Sequence, residues 1–346
     1  MGDPPGHGVR GVATRLLDHA PAGWAALLEQ DPNASPAQRA EVVETFAEVV
    51  PGHAARFIVV EEAGALIGGA ALTIERRAGL AWIHAMPHLL PGAPLAADPK
   101  RRAAVDPAVA AAIGGLQREL GAVGGEWVLY RPEGPELSDA ATPVSGETLW
   151  SATAVVELAA GIEAAREHMG RRMRQYVRNE SRGLTFAEEP EALETVHALH
   201  QRMARQWTAH RPLPLELSRR LLERGAARLY TLRSERRLLC GCLFLDHPRE
   251  RFAWWSGIHH EARGRHVFHL LLWLSVERAA EEGVRRVNLG GSAGRASLTS
   301  FKEALGAREV RVPVRWLDAA HGSWTARAVA GLQAWRRRGR PRGERA

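Results

Sequence analysis

Lys302 is one of only two lysines in a chain that carries 46 lysine and arginine residues; Lys100 is the other. A lysine ammonium is a compact charge whose pKa shifts readily, whereas arginine is a planar fork that stays charged. In a chain that uses arginine almost everywhere, position 302 marks a candidate for point-charge chemistry. It lies in the stretch Arg285 to Gly306, RRVNLGGSAGRASLTSFKEALG. Val287-Asn288-Leu289 reads as a short buried strand. Gly290, Gly291 and Gly294 make a loop whose backbone can take positive φ or approach a ligand closely. Ser300-Phe301-Lys302-Glu303 fits a capping box, and Gly306 closes the short helix that follows. Lys302 is then expected in the first helical turn, among free backbone N–H groups. A cation held there makes a site for an anion or a developing oxyanion.

Other chemistry-bearing residues are read against simpler roles. His259, His260, His266 and His269 cluster around Glu261, but no cysteine or further carboxylate completes a zinc pattern. They are read as histidines at a helix start, and no metal is expected. Cys240 and Cys242 are the only cysteines. They lie in one strand, where neighbours point to opposite faces, and are read as free thiols in a reducing compartment, since a disulfide framework or zinc site would need more. Trp254 and Trp255 fall in another strand, so one faces the core and the other is free to wall a cleft. His88, in the segment Met86-Pro87-His88-Leu89-Leu90-Pro91-Gly92-Ala93-Pro94, is read as a turn residue.

The elements that must position these residues fall into two halves. Residues 9–50 read as helix in two pieces, with Val42, Val43, Phe46 and Val49 on one side of the second. Arg56–Glu61 and Leu66–Glu75 read as a hairpin, followed by a strand at Leu80–Met86. A helix is expected from Asp106 to Leu120, with Asp-Pro at its start, and a strand at Glu126–Tyr130. The second half reads as a strand at Ala154–Leu158, a long basic helix Gly161–Arg182, and helices Pro190–His210 and Leu215–Arg224. Strands follow at Ala227–Leu232, Arg237–Leu245 and Arg251–Gly257. An apolar helix Val267–Glu282 comes next, then the Lys302 stretch and a last strand, Glu309–Leu317. Both halves run strand hairpin, helix, strand, which is the pattern of a duplicated α+β fold.

Length and charge bound the partners. With 346 residues, 45% hydrophobic and 25% charged, the chain is long for one core and ordinary for a globular protein. Two domains are expected, 1–150 and 151–320, with a basic, disordered tail at 321–346. No apolar run reaches the roughly 20 residues that span a bilayer, and no secretory signal is read at the start, so a cytoplasmic location is expected. The net charge of +7 is uneven: residues 1–150 carry −7, residues 151–330 carry +9 and the last 16 carry +5. A polyanion would meet the second half.

The second half resembles the acetyltransferase (GNAT) fold, and more closely the Fem-type aminoacyltransferases, which carry two such domains in tandem. The resemblance rests on Arg171-Arg172-Met173-Arg174-Gln175-Tyr176-Val177-Arg178 through Gly183-Leu184-Thr185-Phe186. It rests further on Leu270-Leu271-Leu272-Trp273, on Val287-Asn288-Leu289-Gly290 and on Phe301-Lys302-Glu303-Ala304-Leu305-Gly306. It covers roughly residues 20–317, and the family usually has Asp where this chain has Asn288. It implies two GNAT-like domains and transfer of an acyl or aminoacyl group to an amine. Lys302 would stabilise the oxyanion and Phe301 would shape the pocket. Arg205, Trp254, Trp255, Asn288, Gly290 and Gly291 are then expected on the substrate side. Coenzyme-A-dependent relatives carry a Gln/Arg-x-x-Gly-x-Gly/Ala segment before the apolar helix. Here it is Glu261-Ala262-Arg263-Gly264-Arg265-His266, acidic at one end and bulky at the other. Arg263, Gly264 and Arg265 remain the candidate donor-binding residues. The expected donor is aminoacyl-tRNA, with acyl-CoA as the alternative and no further cofactor. A non-catalytic RNA-binding protein is the third reading, against which the retained Lys302 argues.

Overall fold

A computed structural model describes residues 11–86, 90–133, 148–180, 183–206, 213–262 and 266–317. The chain divides into unit 1, Met1–Ser151 with Val312–Ala346, and unit 2, Ala152–Arg311. Expectations for the tail, for His88, and for Arg263, Gly264 and Arg265 fall outside the described residues.

Unit 1 begins with a difference from the sequence reading. Residues 12–17, expected as helix, form strand β1 (Val12–Leu17), paired antiparallel with β2 (His53–Glu62). The pairing partner decides: a short segment with Val and Thr gains a ladder of hydrogen bonds that its local preference alone does not specify. Helix α1 (Trp24–Gln30) and helix α2 (Ala40–Val49) follow, α2 burying Val42, Val43 and Phe46. β2 turns into β3 (Ala65–Arg77) through Ala63 and Gly64, both at positive φ, as a two-residue hairpin turn requires. β4 (Leu80–His84) pairs with β3, as does the short β5 (Leu95–Ala96).

Helix α3 (Arg102–Leu120) starts before the expected Asp106, with Pro107 inside it. A 3-10 turn, Pro99–Arg101, leads into it, capped by Asp98, whose carboxylate accepts from the Lys100 N–H. Asp106 is engaged elsewhere, taking Arg131 Nη2 at 2.8 Å on both oxygens. β6 (Gly125–Val128) then lies parallel to β4.

Unit 2 repeats this order. β7 (Thr148–Glu157) enters it, followed by α4 (Ile162–His168) and α5 (Arg171–Glu180). The expected single helix over 161–182 is thus two. The break is at Met169, which is extended and 2% exposed in the core, and at Gly170, whose N–H is spent on Ala304 O at 3.1 Å. β8 (Leu184–Glu188), α6 (Leu193–Ala204) and α7 (Leu215–Glu223) come next. α6 is shorter than the expected 190–210: a 3-10 turn, Pro190–Ala192, precedes it, and residues 207–212 are outside the described set. The meander β9 (Ala227–Ser234), β10 (Arg237–His247) and β11 (Glu250–Ile258) is antiparallel. Helix α8 (Val267–Glu281) crosses over to β12 (Arg286–Gly291), which runs parallel to β11 and antiparallel to β7. Helix α9 (Ala296–Glu303) leads into β13 (Arg308–Leu317).

In each unit, then, an antiparallel meander ends in a strand joined by one helix to a parallel neighbour, and a further antiparallel strand lies outside that neighbour. In unit 2 the outer strand is β7. In unit 1 it is the end of β13, where Val314 to Leu317 pair with β6. The fold is a duplicated acetyltransferase-type α+β fold, as the strand pattern implies. The core of unit 2 centres on α8, where Leu270, Leu271 and Trp273 have no exposed surface. Full burial of one such side chain contributes about 1.5–3 kcal/mol.

Candidate active site

The two parallel strands of unit 2 part where the chemistry is expected. Their register runs from Glu250↔Arg286 to Phe252↔Asn288 and then stops, although both strands continue. Two irregularities separate them. In β11, Leu243 pairs with Trp255 and Phe244 with Ala253, so Trp254 is an extra, bulged residue. In β12, Asn288 pairs with Val155 but Gly291 with Thr153, so β12 also carries one residue too many. Bulges bend a strand, end its pairing and cluster beside active sites.

Asn288 shapes the second bulge. Its Oδ1 accepts from Thr153 Oγ1 at 2.6 Å and from the Gly290 N–H at 2.9 Å, and its Nδ2 donates to Glu250 Oε1 at 3.3 Å. The residue has no exposed surface. Through these bonds the buried Asn288 holds the loop that follows it. Closing that turn puts Gly290 at φ 75°, a conformation glycine takes without strain. The carbonyls of Gly290 and Gly291 then both accept from Lys302 Nζ at 2.7 Å.

Lys302 itself sits differently from the sequence reading. α9 begins at Ala296, after an extended Arg295, so Ser300 lies inside the helix and caps nothing. Lys302 occupies the last turn. A cation there is favoured by the helix dipole, whereas in the first turn it would be opposed. Gly306, at φ 79°, does end the segment, with Ala307 N–H bonded to Lys302 O. The lysine is 6% exposed, and burial lowers its pKa to about 8. It therefore keeps its proton at neutral pH. An ammonium has three N–H donors; the two carbonyls take two of them.

Phe301 stacks on Phe268 with centroids 6.0 Å apart and contacts the His269 ring at 4.0 Å. His269 in turn meets His266, which meets Tyr176 of α5. Burial, then the neighbouring His266, lower the His269 pKa to about 4, so this imidazole stays neutral. Trp255 lies against His197 and His200 of α6, at 5.7 and 5.1 Å between centroids. Both indoles, Trp254 and Trp255, are half-buried. Arg205, at the end of α6, is exposed and has no ion-pair partner among the described residues. His259, His260 and Glu261 bring one ligand atom each within 4.8 Å of one another. The Arg237 guanidinium bonds to Glu261 and reaches His259 Nδ1 at 3.4 Å.

Several structural residues were invisible to sequence reasoning. Glu250 and Arg286, both without exposed surface, are paired at 2.7 Å beneath Asn288. Arg251, also fully buried, donates to Asp246 at 2.7 Å, Tyr230 OH at 3.0 Å and Glu282 at 2.6 Å. His200 Nδ1 meets Ser256 O at 2.8 Å; a carbonyl only accepts, so the proton is on Nδ1. The one available signal was a set of charges at the starts of otherwise apolar strands.

The fold and the parted strands are of the acetyltransferase type, and comparison with known proteins agrees with that fold. Residues 163–303 match the family described as acetyltransferase (GNAT) domain. Among solved structures, the chain is similar to FemX, with TM-score 0.64 and 13% identity over 86% of this chain and 96% of that one. It is also similar to a tandem GNAT protein from the clavulanic acid biosynthesis pathway, solved without AcCoA, with TM-score 0.55 and 15% identity over 90% and 100%. A conserved protein of unknown function from Bacteroides thetaiotaomicron gives TM-score 0.53 and 9% identity over 88% and 99%. No curated protein matches by sequence. The family match thus covers residues 163–303, and the solved structures share the fold of the chain. Among the described residues no helix is long and apolar enough to cross a membrane.

Proposed function

We propose that the chain transfers an aminoacyl group from aminoacyl-tRNA to an amine, on a peptidoglycan precursor or a small metabolite. The observation that carries the chemistry is the ammonium of Lys302, held at 2.7 Å by two carbonyls at the gap between β11 and β12. The acceptor amine attacks the ester carbonyl; the C–N bond forms, the C–O bond to the ribose breaks, and the proton lost by the amine ends on the departing ribose oxygen. Negative charge grows on the carbonyl oxygen, and the third N–H of Lys302 donates to it. Because the other two N–H groups are fixed, the charge needs no reorganisation when the oxyanion forms. Phe301 holds that turn of α9 through its stack on Phe268. Gly290 and Gly291 act through their carbonyls, Trp254 and Trp255 wall the acceptor side, and Arg205 offers a cation to an acidic acceptor group.

Three features support tRNA over coenzyme A. The resemblance to Fem-type enzymes is one, and the +9 of residues 151–330 is another. The third is the segment before α8. Glu261 is ion-paired with Arg237, and His266 puts a ring against Tyr176 where coenzyme-A-dependent relatives keep a small residue. Arg263, Gly264 and Arg265 remain the donor-side candidates in that segment. The acyl-CoA reading is kept because the family match is to an acetyltransferase domain. A direct assay separates them. Incubated with total aminoacyl-tRNA and with acetyl-CoA in parallel, the enzyme is expected to consume the aminoacyl ester. Mass spectrometry showing acetyl-CoA consumed and the ester intact would reverse the assignment.

A further inference from the structure

We propose that the outward face of α5 is the surface on which the donor RNA docks beside Lys302; this rests on the aminoacyl-tRNA reading above. α5 is divided lengthwise. Met173 is buried, and Tyr176 and Val177 pack half-buried on the core of unit 2. Arg171, Arg172 and Arg178 are exposed on the other side, together with Gln175 and Asn179.

What sets these arginines apart is that three without a carboxylate partner share one face of one helix. Several exposed or half-exposed arginines elsewhere in unit 2 are matched by carboxylates: Arg166 by Glu163 and Glu277, Arg219 by Glu194, Arg220 by Glu216, Arg237 by Glu261, and Arg308 by Glu157. Arg171, Arg172 and Arg178 form no ion pair among the described residues. Arg174 does not join them, because its Nη1 turns back to the carbonyls of Arg166 and Glu167 at 3.3 and 3.0 Å. Three such forks over eight residues span roughly 10 Å of helix. That is about the reach of three phosphates along one nucleic-acid strand, and the guanidinium fork matches phosphate oxygens in pairs.

The position is right for a donor whose reactive end must reach Lys302. The residue before α5, Gly170, bonds to Ala304 O at 3.1 Å, two residues past Lys302. From the middle of α5, contacts run Tyr176 to His266, His266 to His269 and His269 to Phe301. An RNA lying on α5 therefore has Phe301 and Lys302 at its flank. A membrane surface fits less well. A helix that lies on lipid needs an apolar face to bury in it, and the apolar residues of α5 are spent on the core.

The test compares the full chain with Arg171→Gln/Arg172→Gln/Arg178→Gln and with a control, Arg219→Gln/Arg220→Gln on α7, whose arginines are already paired. Deacylated tRNA is titrated across a salt series, with thermal melting to confirm folding. The triple variant should bind at least about tenfold more weakly and lose roughly two to three units of salt slope, while the control binds like the parent. A parent that binds tRNA and a folded triple variant that binds it equally well, with the same slope, would overturn the α5 surface and leave the donor reading intact. A parent that binds no tRNA would overturn both. Loss of binding to phosphatidylglycerol vesicles, with tRNA binding unchanged, would make the face a lipid contact and overturn the proposal.

Discussion

Lys302→Met should lower kcat by roughly 10²–10³ while leaving donor affinity little changed, because the lost hydrogen bond strengthens only in the transition state. Met keeps the length of the side chain and removes its donors, so packing is spared. Lys302→Arg should restore little, since the planar fork cannot bond two carbonyls and an oxyanion from one point. The structure reverses the expectation for stability that a first-turn lysine would give. The ammonium satisfies the carbonyls of Gly290 and Gly291 at a favoured helix end. Lys302→Ala should therefore destabilise, by about 0.5–1.5 kcal/mol for a hydrogen bond lost at part-buried carbonyls that water can reach. Near-normal turnover in a folded Lys302→Met enzyme would remove the residue from the mechanism.

The same side chain gives two pH dependences of opposite sign. Its folded pKa is lowered to about 8, against 10.5 unfolded. Turnover should fall as pH rises through about 8, because the donor is lost. Over the window from about 8 to 10.5 the unfolded chain binds the extra proton, so the contribution of this group to stability rises with pH. A kcat profile flat through pH 9 would contradict the assignment.

The largest effect on folding is expected at the buried pair under the site. Glu250→Ala removes the carboxylate that faces Arg286 at 2.7 Å, where neither residue has exposed surface. Breaking such a pair from one side costs about 3–5 kcal/mol, because a charge is left uncompensated. It also releases Asn288, which donates to the same carboxylate. The double replacement Glu250→Leu/Arg286→Met should be milder than Glu250→Ala, since no lone charge remains. Urea unfolding followed by tryptophan fluorescence reads both. An unchanged midpoint for Glu250→Ala would show that the pair does not hold the strands.

How much of this was legible depends on whether the signal was local. α8 announced itself as fifteen mostly apolar residues ended by a turn at Gly283, and the hairpins by their strand periods. Lys302 was found from residue usage, but its helical position was not. The capping-box pattern at Ser300 is local, whereas the true start at Ala296 is set by how α9 leaves the β12 loop. Asn288 was placed near the site, but its part in holding the loop was not legible, since its partners Thr153 and Glu250 lie 135 and 38 residues away. β1 was misread for the same reason: its strand character comes from β2, not from its own six residues. Pairing at a distance is what a single sequence conceals.

The path of β13 bears on the order of events during synthesis. β6 pairs with it through Val128↔Val314, a separation of nearly two hundred residues, and the whole of unit 2 is made in between. An N-terminal unit normally folds as it leaves the ribosome. This one cannot complete its sheet until the ribosome has passed Leu317, and until then β6 presents an open edge to any passing strand. The late closure raises the contact order of unit 1, which slows folding.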